Sequence, residues 1–164
     1  MAAFDLFFTD NNGKYNVILP CGEYEKILKY CVEAKPCETG GILIGNYSDD
    51  CSVAIIKEAT SPPSDSKHKL ANFCRGTANL MKKLDDAWAE GCYYLGEWHY
   101  HPNALSAPSW TDLKQMRTLS MDKNLNCPEP ILLIIGKNNT EWKIHIEICC
   151  GKKNIKLAQN DVDS

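Results

Sequence analysis

The sequence predicts an α/β domain of the α+β type, a mixed central β-sheet flanked by helices. Three observations predict it. Segments rich in β-branched and aromatic residues alternate irregularly with segments of helical periodicity. Ile131 to Ile135 is an uninterrupted apolar run, the pattern of a strand buried on both faces. Trp142 to Ile148 alternates strictly, with Trp142, Ile144, Ile146 and Ile148 on one face and Lys143, His145 and Glu147 on the other, so His145 is expected in solvent. The order is too irregular for a doubly wound nucleotide-binding fold, and no glycine-rich phosphate loop occurs.

The elements follow in order. Phe4 to Phe8 and Tyr15 to Leu19 are strand-like, and Asp10, Asn11, Asn12 and Gly13 between them form a turn cluster, so a hairpin is expected. From Gly22 to Ala34 the residues Tyr24, Ile27, Leu28, Cys31 and Val32 recur at helical spacing, and Pro36 marks an end already reached. Gly40 to Tyr47 and Ser52 to Ala59 are strands joined by a turn at Asn46 to Asp50, and Ser61 to Ser66 is a Pro- and Ser-rich loop. Ala78 to Ala89 is a second helix with Met81, Leu84 and Trp88 on its apolar face. Cys92 to Trp98 is a strand running into a proline-containing stretch, and a third helix covers Ser109 to Met121 with Ser109 as its N-cap. Residues 1–150 are expected to form the domain, and 151–164 a polar tail, loosely ordered after one short element.

Composition narrows the function. The chain has 164 residues, 44% hydrophobic and 24% charged, enough for one core. A net charge of -3 gives no basic surface for nucleic acid, and no apolar run is long enough to cross a bilayer, so neither nucleic acid nor membrane is expected as a partner. The nine cysteines are odd in number, contain no C-x-x-C pair and lie in apolar segments, which points to reduced packing thiols and a cytoplasmic setting.

One stretch carries chemistry. His99 and His101, two apart on an extended strand, project to the same side, and Asp112 in the first turn of the third helix can return a carboxylate to them. Two imidazoles, one carboxylate and a water make up a catalytic zinc site. An isolated H-x-H has ordinary uses near strand ends, and Ser109 has one as a helix cap; these readings coexist with the metal site.

The spacing H-x-H, seven residues, S-x-x-D, met by His99, His101, Ser109 and Asp112, resembles the zinc motif of the JAMM metalloprotease family, whose domain is also called MPN. The family's upstream glutamate is matched by Glu38 in Glu38-Thr39-Gly40-Gly41-Ile42-Leu43-Ile44-Gly45, and the resemblance spans about residues 15 to 148. It implies a single MPN-like domain binding one Zn2+ through His99, His101 and Asp112. It implies Glu38 as general base and acid, and Ser109 as donor to the oxyanion on the scissile carbonyl. Glu97 is the rival base by proximity, but its place on the strand suits a supporting group better. His68 and His145 have no part in this scheme.

The same resemblance implies cleavage of peptide or isopeptide bonds after the C-terminal residue of ubiquitin-like proteins, whose extended tail would be held by strand addition. Ser61 to Lys69 and Asn103 to Ala107 are the candidate groove walls. The wording Gly96 to Pro102 and the run Cys127 to Gly136 resemble prokaryotic JAB-type members, and are most similar to the deconjugating peptidases of bacterial anti-phage operons of the CBASS type. There the implied substrate is a conjugate of a cGAS-like nucleotidyltransferase. A peptidase that processes a sulfur-carrier protein would share every zinc residue, whereas a silent MPN scaffold usually lacks a ligand and a DNA-repair relative would carry basic character. Tyr100 and Trp110 are expected to shape substrate choice. The sequence leaves the oligomeric state open.

Overall fold

The computed structural model describes residues 4–160. The expected hairpin is formed by β1 (Leu6–Thr9) and β2 (Asn16–Leu19), antiparallel with Leu6 opposite Leu19. Its turn is closed by the Asp10 carboxylate, which accepts the Tyr15 backbone N–H at 2.8 Å. Then follow α1 (Cys21–Ala34), β3 (Thr39–Tyr47), β4 (Val53–Ala59), β5 (Lys67–Lys69), β6 (Asn72–Cys74), α2 (Leu80–Ala89), β7 (Tyr93–His101), α3 (Trp110–Met121), β8 (Ile131–Asn138), β9 (Glu141–Cys150) and β10 (Lys153–Asn160). The class is α/β, as expected, with three helices and one large mixed sheet among the described residues.

The sheet, however, closes on itself. Its strands run β1-β10-β9-β8-β7-β3-β4-β2 and back to β1, with parallel pairs β2–β4 and β7–β8 among antiparallel ones. This corrects the expectation of a sheet lying between helices. The closing strand, β10, comes from the segment expected to be a loose tail. It pairs with β9 on one side (Ile155 opposite Ile148) and with β1 on the other (Thr9 opposite Ala158). Only Ile155 and Leu157 turn toward the core, so backbone pairing rather than a long apolar face holds this strand.

The interior is filled from all sides by Val17, Leu43, Ile56, Trp98, Leu133 and Ile146, and α1 adds Ile27 and Cys31 to the same cluster. The other two helices lie on the outer surface. α3 packs Met116, Leu113 and Leu119 over Leu132, Ile134 and Cys149, and α2 packs Leu80, Leu84 and Ala87 over Ile42, Ile44 and Tyr94. The face of α2 expected to be buried is therefore rotated: Leu84 packs inward, while Met81 and Trp88 are exposed. On β9 the alternation holds, but α3 contacts this strand, so His145 and Glu147 are only 11% and 13% exposed and face each other at 3.0 Å. His145 is thus not a solvated residue. Cys31, Cys37, Cys51, Cys74, Cys92, Cys127, Cys149 and Cys150 are thiols outside any disulfide, and among the described residues no helix is long and apolar enough to cross a membrane.

If β10 is a structural stave, Leu157→Ala, at a fully enclosed position, destabilises the protein by about 2–5 kcal/mol in urea unfolding, the range for core leucines. A loss below about 0.5 kcal/mol, the level of surface substitutions, would mark the segment as a tail.

Candidate metal centre

β7 carries two chemistries on its two faces. Trp98 and Tyr100 point into the barrel core, and Glu97, His99 and His101 point outward, in register with Leu132, Ile134 and Gly136 of β8. Beyond His101 the chain leaves the sheet through Pro102 and Asn103, the latter in the left-handed region at φ 57°. The segment then lies directly on β8: a Cβ at Gly136 would stand 2.6 Å from Ser106 N and 2.7 Å from Ala104 O, so only glycine leaves room. This return delivers Ser109 to cap α3 and brings Asp112 back over the two histidines.

The cap and the centre share atoms. Ser109 Oγ accepts the Asp112 backbone N–H at 3.1 Å, while Ser109 N and Oγ each donate to Asp112 Oδ2 at 2.7 Å, a complete capping box. The same carboxylate meets His99 Nδ1 through Oδ1 at 2.9 Å and His101 Nε2 through Oδ2 at 3.3 Å. Ligand atoms of His99, His101 and Asp112 all lie within 4.8 Å of one another, and all three residues are buried. His99 Nε2 is enclosed and has no hydrogen-bond partner. A buried unpaired imidazole nitrogen beside a second imidazole and a carboxylate is a donor set that fits zinc.

Glu38 stands one residue before β3, the strand that pairs with β7. It is held by the small β5–β6 sheet: Glu38 N donates to Lys69 O at 2.8 Å, and His68 Nδ1 lies 3.1 Å from Glu38 O. Next to it, Gly40 pairs with His99, and a Cβ at Gly40 would stand 2.9 Å from both His99 Cδ2 and Phe73 Cε1. The glycine therefore lets the His99 ring and the edge-on Phe73 ring, with centroids 5.9 Å apart, lie on β3. Arg75, just after β6, pins this cover to the sheet, its Nε donating to Glu97 Oε2 at 2.7 Å. Tyr94 Oη donates to the other Glu97 oxygen at 2.9 Å.

The electrostatics follow from this enclosure. Burial alone would raise the Asp112 pKa, but hydrogen bonds from His101, His99 and Ser109 overcome it and hold the carboxyl ionised, well below the usual range. Burial would lower His101, yet Asp112 and Glu38 raise it. Glu38 is raised by burial, with His101 and His99 pulling down and Asp112 pushing up, so it senses all three neighbours. Burial raises Glu97 as well, against the Arg75 charge.

The structure brings together the five residues singled out from the sequence: Glu38, His99, His101, Ser109 and Asp112. Glu97 is fully buried with both oxygens engaged, so it has no free atom for a reacting group. Tyr100 is corrected: it faces the core against Trp142 and cannot reach a substrate, whereas Trp110 is 74% exposed at the start of α3. His68 is exposed, as expected, and touches the surroundings of the site through the Glu38 carbonyl and the Phe73 ring, with centroids 5.2 Å apart. Sequence reasoning missed the β5–β6 sheet and Arg75. The strands are three residues each, only Phe73 among them is half-buried, and no Gly or Asn-Gly turn joins them.

Comparison with known proteins gives a consistent set. The family model described as prokaryotic homologs of the JAB domain matches residues 22–145. A protein of Enterobacter hormaechei subsp. hoffmannii named CD-NTase/cGAS isopeptidase is 38% identical over 136 residues, 83% of this chain and 76% of its own. A probable metalloprotease of Sinorhizobium fredii is 28% identical over 131 residues, 77% of this chain and 79% of its own. The solution structure of a Desulfitobacterium hafniense protein superposes with a TM-score of 0.61 at 18% identity, over 86% of this chain and 87% of that one, a likeness of fold.

The Arg75–Glu97 pair predicts a specific stability pattern. Arg75→Met strands a buried carboxylate and lowers stability by about 3–5 kcal/mol, and adding Glu97→Gln restores more than half of that loss. Additive losses in the double variant would show that the two side chains act independently.

Proposed function

The chain belongs to the prokaryotic JAB-domain family, and on that premise we propose that it is a zinc metallo-isopeptidase that removes a protein conjugated to an extended C-terminal tail. The convergence of His99, His101 and Asp112 on one point, with Glu38 near enough to interact electrostatically with all three, carries this reading. The substrate is a ubiquitin-like or cGAS-like nucleotidyltransferase conjugate, cleaved after the C-terminal residue of the tail. The name of the Enterobacter hormaechei relative supports the nucleotidyltransferase form, and anti-phage CBASS signalling is the setting proposed.

His99, His101 and Asp112 would hold one zinc. When bound, the metal supplies an acidified water and polarises the scissile carbonyl. Glu38, half-buried and raised in pKa, is suited to take a proton from that water and give it to the leaving amine. Ser109 Oγ, 2.7 Å from the Asp112 carboxylate, can turn its proton to the developing oxyanion while its backbone N–H keeps the cap closed. No cysteine is needed as nucleophile.

The surroundings suit a tail. The barrel closes all eight of its strands, and near Glu38 the free sheet edges belong to β5 and β6, where an extended peptide can add as a further strand. Leu70, Leu105 and Trp110, each exposed by about 70%, lie in the β5–β6 turn, in the segment before α3 and at the start of α3, all in segments that adjoin site residues in the chain. They offer apolar contacts to a bound protein.

The test is kinetic, on a nucleotidyltransferase-tail conjugate. Glu38→Gln is expected to lower kcat by about a thousandfold or more with KM nearly unchanged, and Ser109→Ala by about a hundredfold. A Glu38→Gln enzyme with a near-normal rate would remove Glu38 from the proton transfer.

A further inference from the structure

Apart from Phe4, Val32 and Met121, the exposed large apolar side chains among the described residues lie in two sets. Leu70, Leu105 and Trp110 lie in the segments that carry or adjoin the site residues. Tyr47, Met81, Trp88 and Tyr93, between 40 and 67% exposed, line one groove of about 940 Å³ elsewhere. This groove lies at the other end of the barrel. Tyr93 and Tyr94 begin β7, six and five residues before His99, which at the rise of a strand puts the groove about 20 Å from the metal ligands. Its wall is the face of α2 that the amphipathic pattern assigns to the core, yet α2 already packs on the sheet through Leu80, Leu84 and Ala87. Met81 and Trp88 are thus surplus to folding, and Trp88 stands edge-on to Tyr93 with centroids 5.2 Å apart, a preformed aromatic pair.

The charge of the groove is one-sided. Asp85 and Glu129 line it, and no lysine or arginine does. On the same helix Lys82 pairs with Asp86 and Lys83 with Glu58, whereas Asp85 has no ion pair among the described residues. Glu129 is exposed and accepts only the Tyr15 hydroxyl and the Cys150 thiol. Tryptophan, tyrosine and methionine are the side chains enriched where proteins bind proteins, and uncompensated acids at the rim select a partner of opposite sign. Phosphate-bearing ligands would be repelled by the same acids.

We propose that this groove is a docking site for a protein segment carrying an apolar anchor flanked by lysine or arginine. The anchor packs between Trp88, Tyr93 and Met81, and the flanking cations meet Asp85 and Glu129. The site is separate from the metal centre and does not depend on the isopeptidase reading; in a protein with both, it would hold a partner while the far end works on a tail.

Selection from phage-displayed random dodecapeptides on the full chain tests this. The expected outcome is a consensus with an aromatic or leucine anchor and at least two basic residues. A synthetic peptide of that consensus is expected to bind Trp88→Ala and Asp85→Lys at least about tenfold more weakly than the parent protein, and to bind the parent less well as salt is raised. Both positions are exposed, and thermal unfolding is expected to show each variant folded as the parent is. An acidic or neutral consensus, no consensus, or equal binding to both variants would overturn the proposal. Sedimentation showing a dimer that Trp88→Ala dissolves would also overturn it, because the groove would then be covered by a second copy.

Discussion

The carboxylate of Asp112 is the point on which the functional end of the molecule turns. One group completes the capping box that starts α3 and, through its two oxygens, meets both histidines of β7. Helix start and candidate metal centre are therefore a single unit: α3 cannot shift along the barrel without losing its cap, and His99 cannot turn away without leaving Asp112 Oδ1 without its hydrogen-bond partner. The hydrogen bonds that hold the carboxyl ionised despite its burial are the ones that give the site its geometry.

That arrangement depends on β7 being fixed in register. Trp98 and Tyr100 fill the core while His99 and His101 face out, so a slip of one residue would exchange an apolar interior for a polar one. Two glycines keep the outer face open at the positions that matter, Gly40 beneath the His99 and Phe73 rings and Gly136 beneath the segment that carries the chain to Ser109. The Arg75–Glu97 pair then anchors the β5–β6 cover beside Glu38. A closed barrel has few edges to offer, and the small sheet provides them next to the site.

The local chemistry was legible from the sequence because it is local: His99, His101, Ser109 and Asp112 lie within fourteen consecutive positions on one strand, one return and one helix turn. Glu38 was not legible from spacing, since its approach depends on the non-local pairing of β3 with β7, and only family resemblance singled it out. Barrel closure was hidden because Lys153–Asn160 has little apolar content and gains its place through backbone pairing with β1, far away in sequence. The face of α2 was misread because Leu84 belongs to two overlapping stripes, and the more hydrophobic one, with Met81 and Trp88, is the one left outside.

The function proposed for this end of the molecule rests on one zinc held by His99, His101 and Asp112. Elemental analysis of the purified protein beside Asp112→Ala measures it most directly. About one zinc per chain is expected in the parent and none in the variant. A folded parent without zinc, or a variant that keeps its metal, would contradict it.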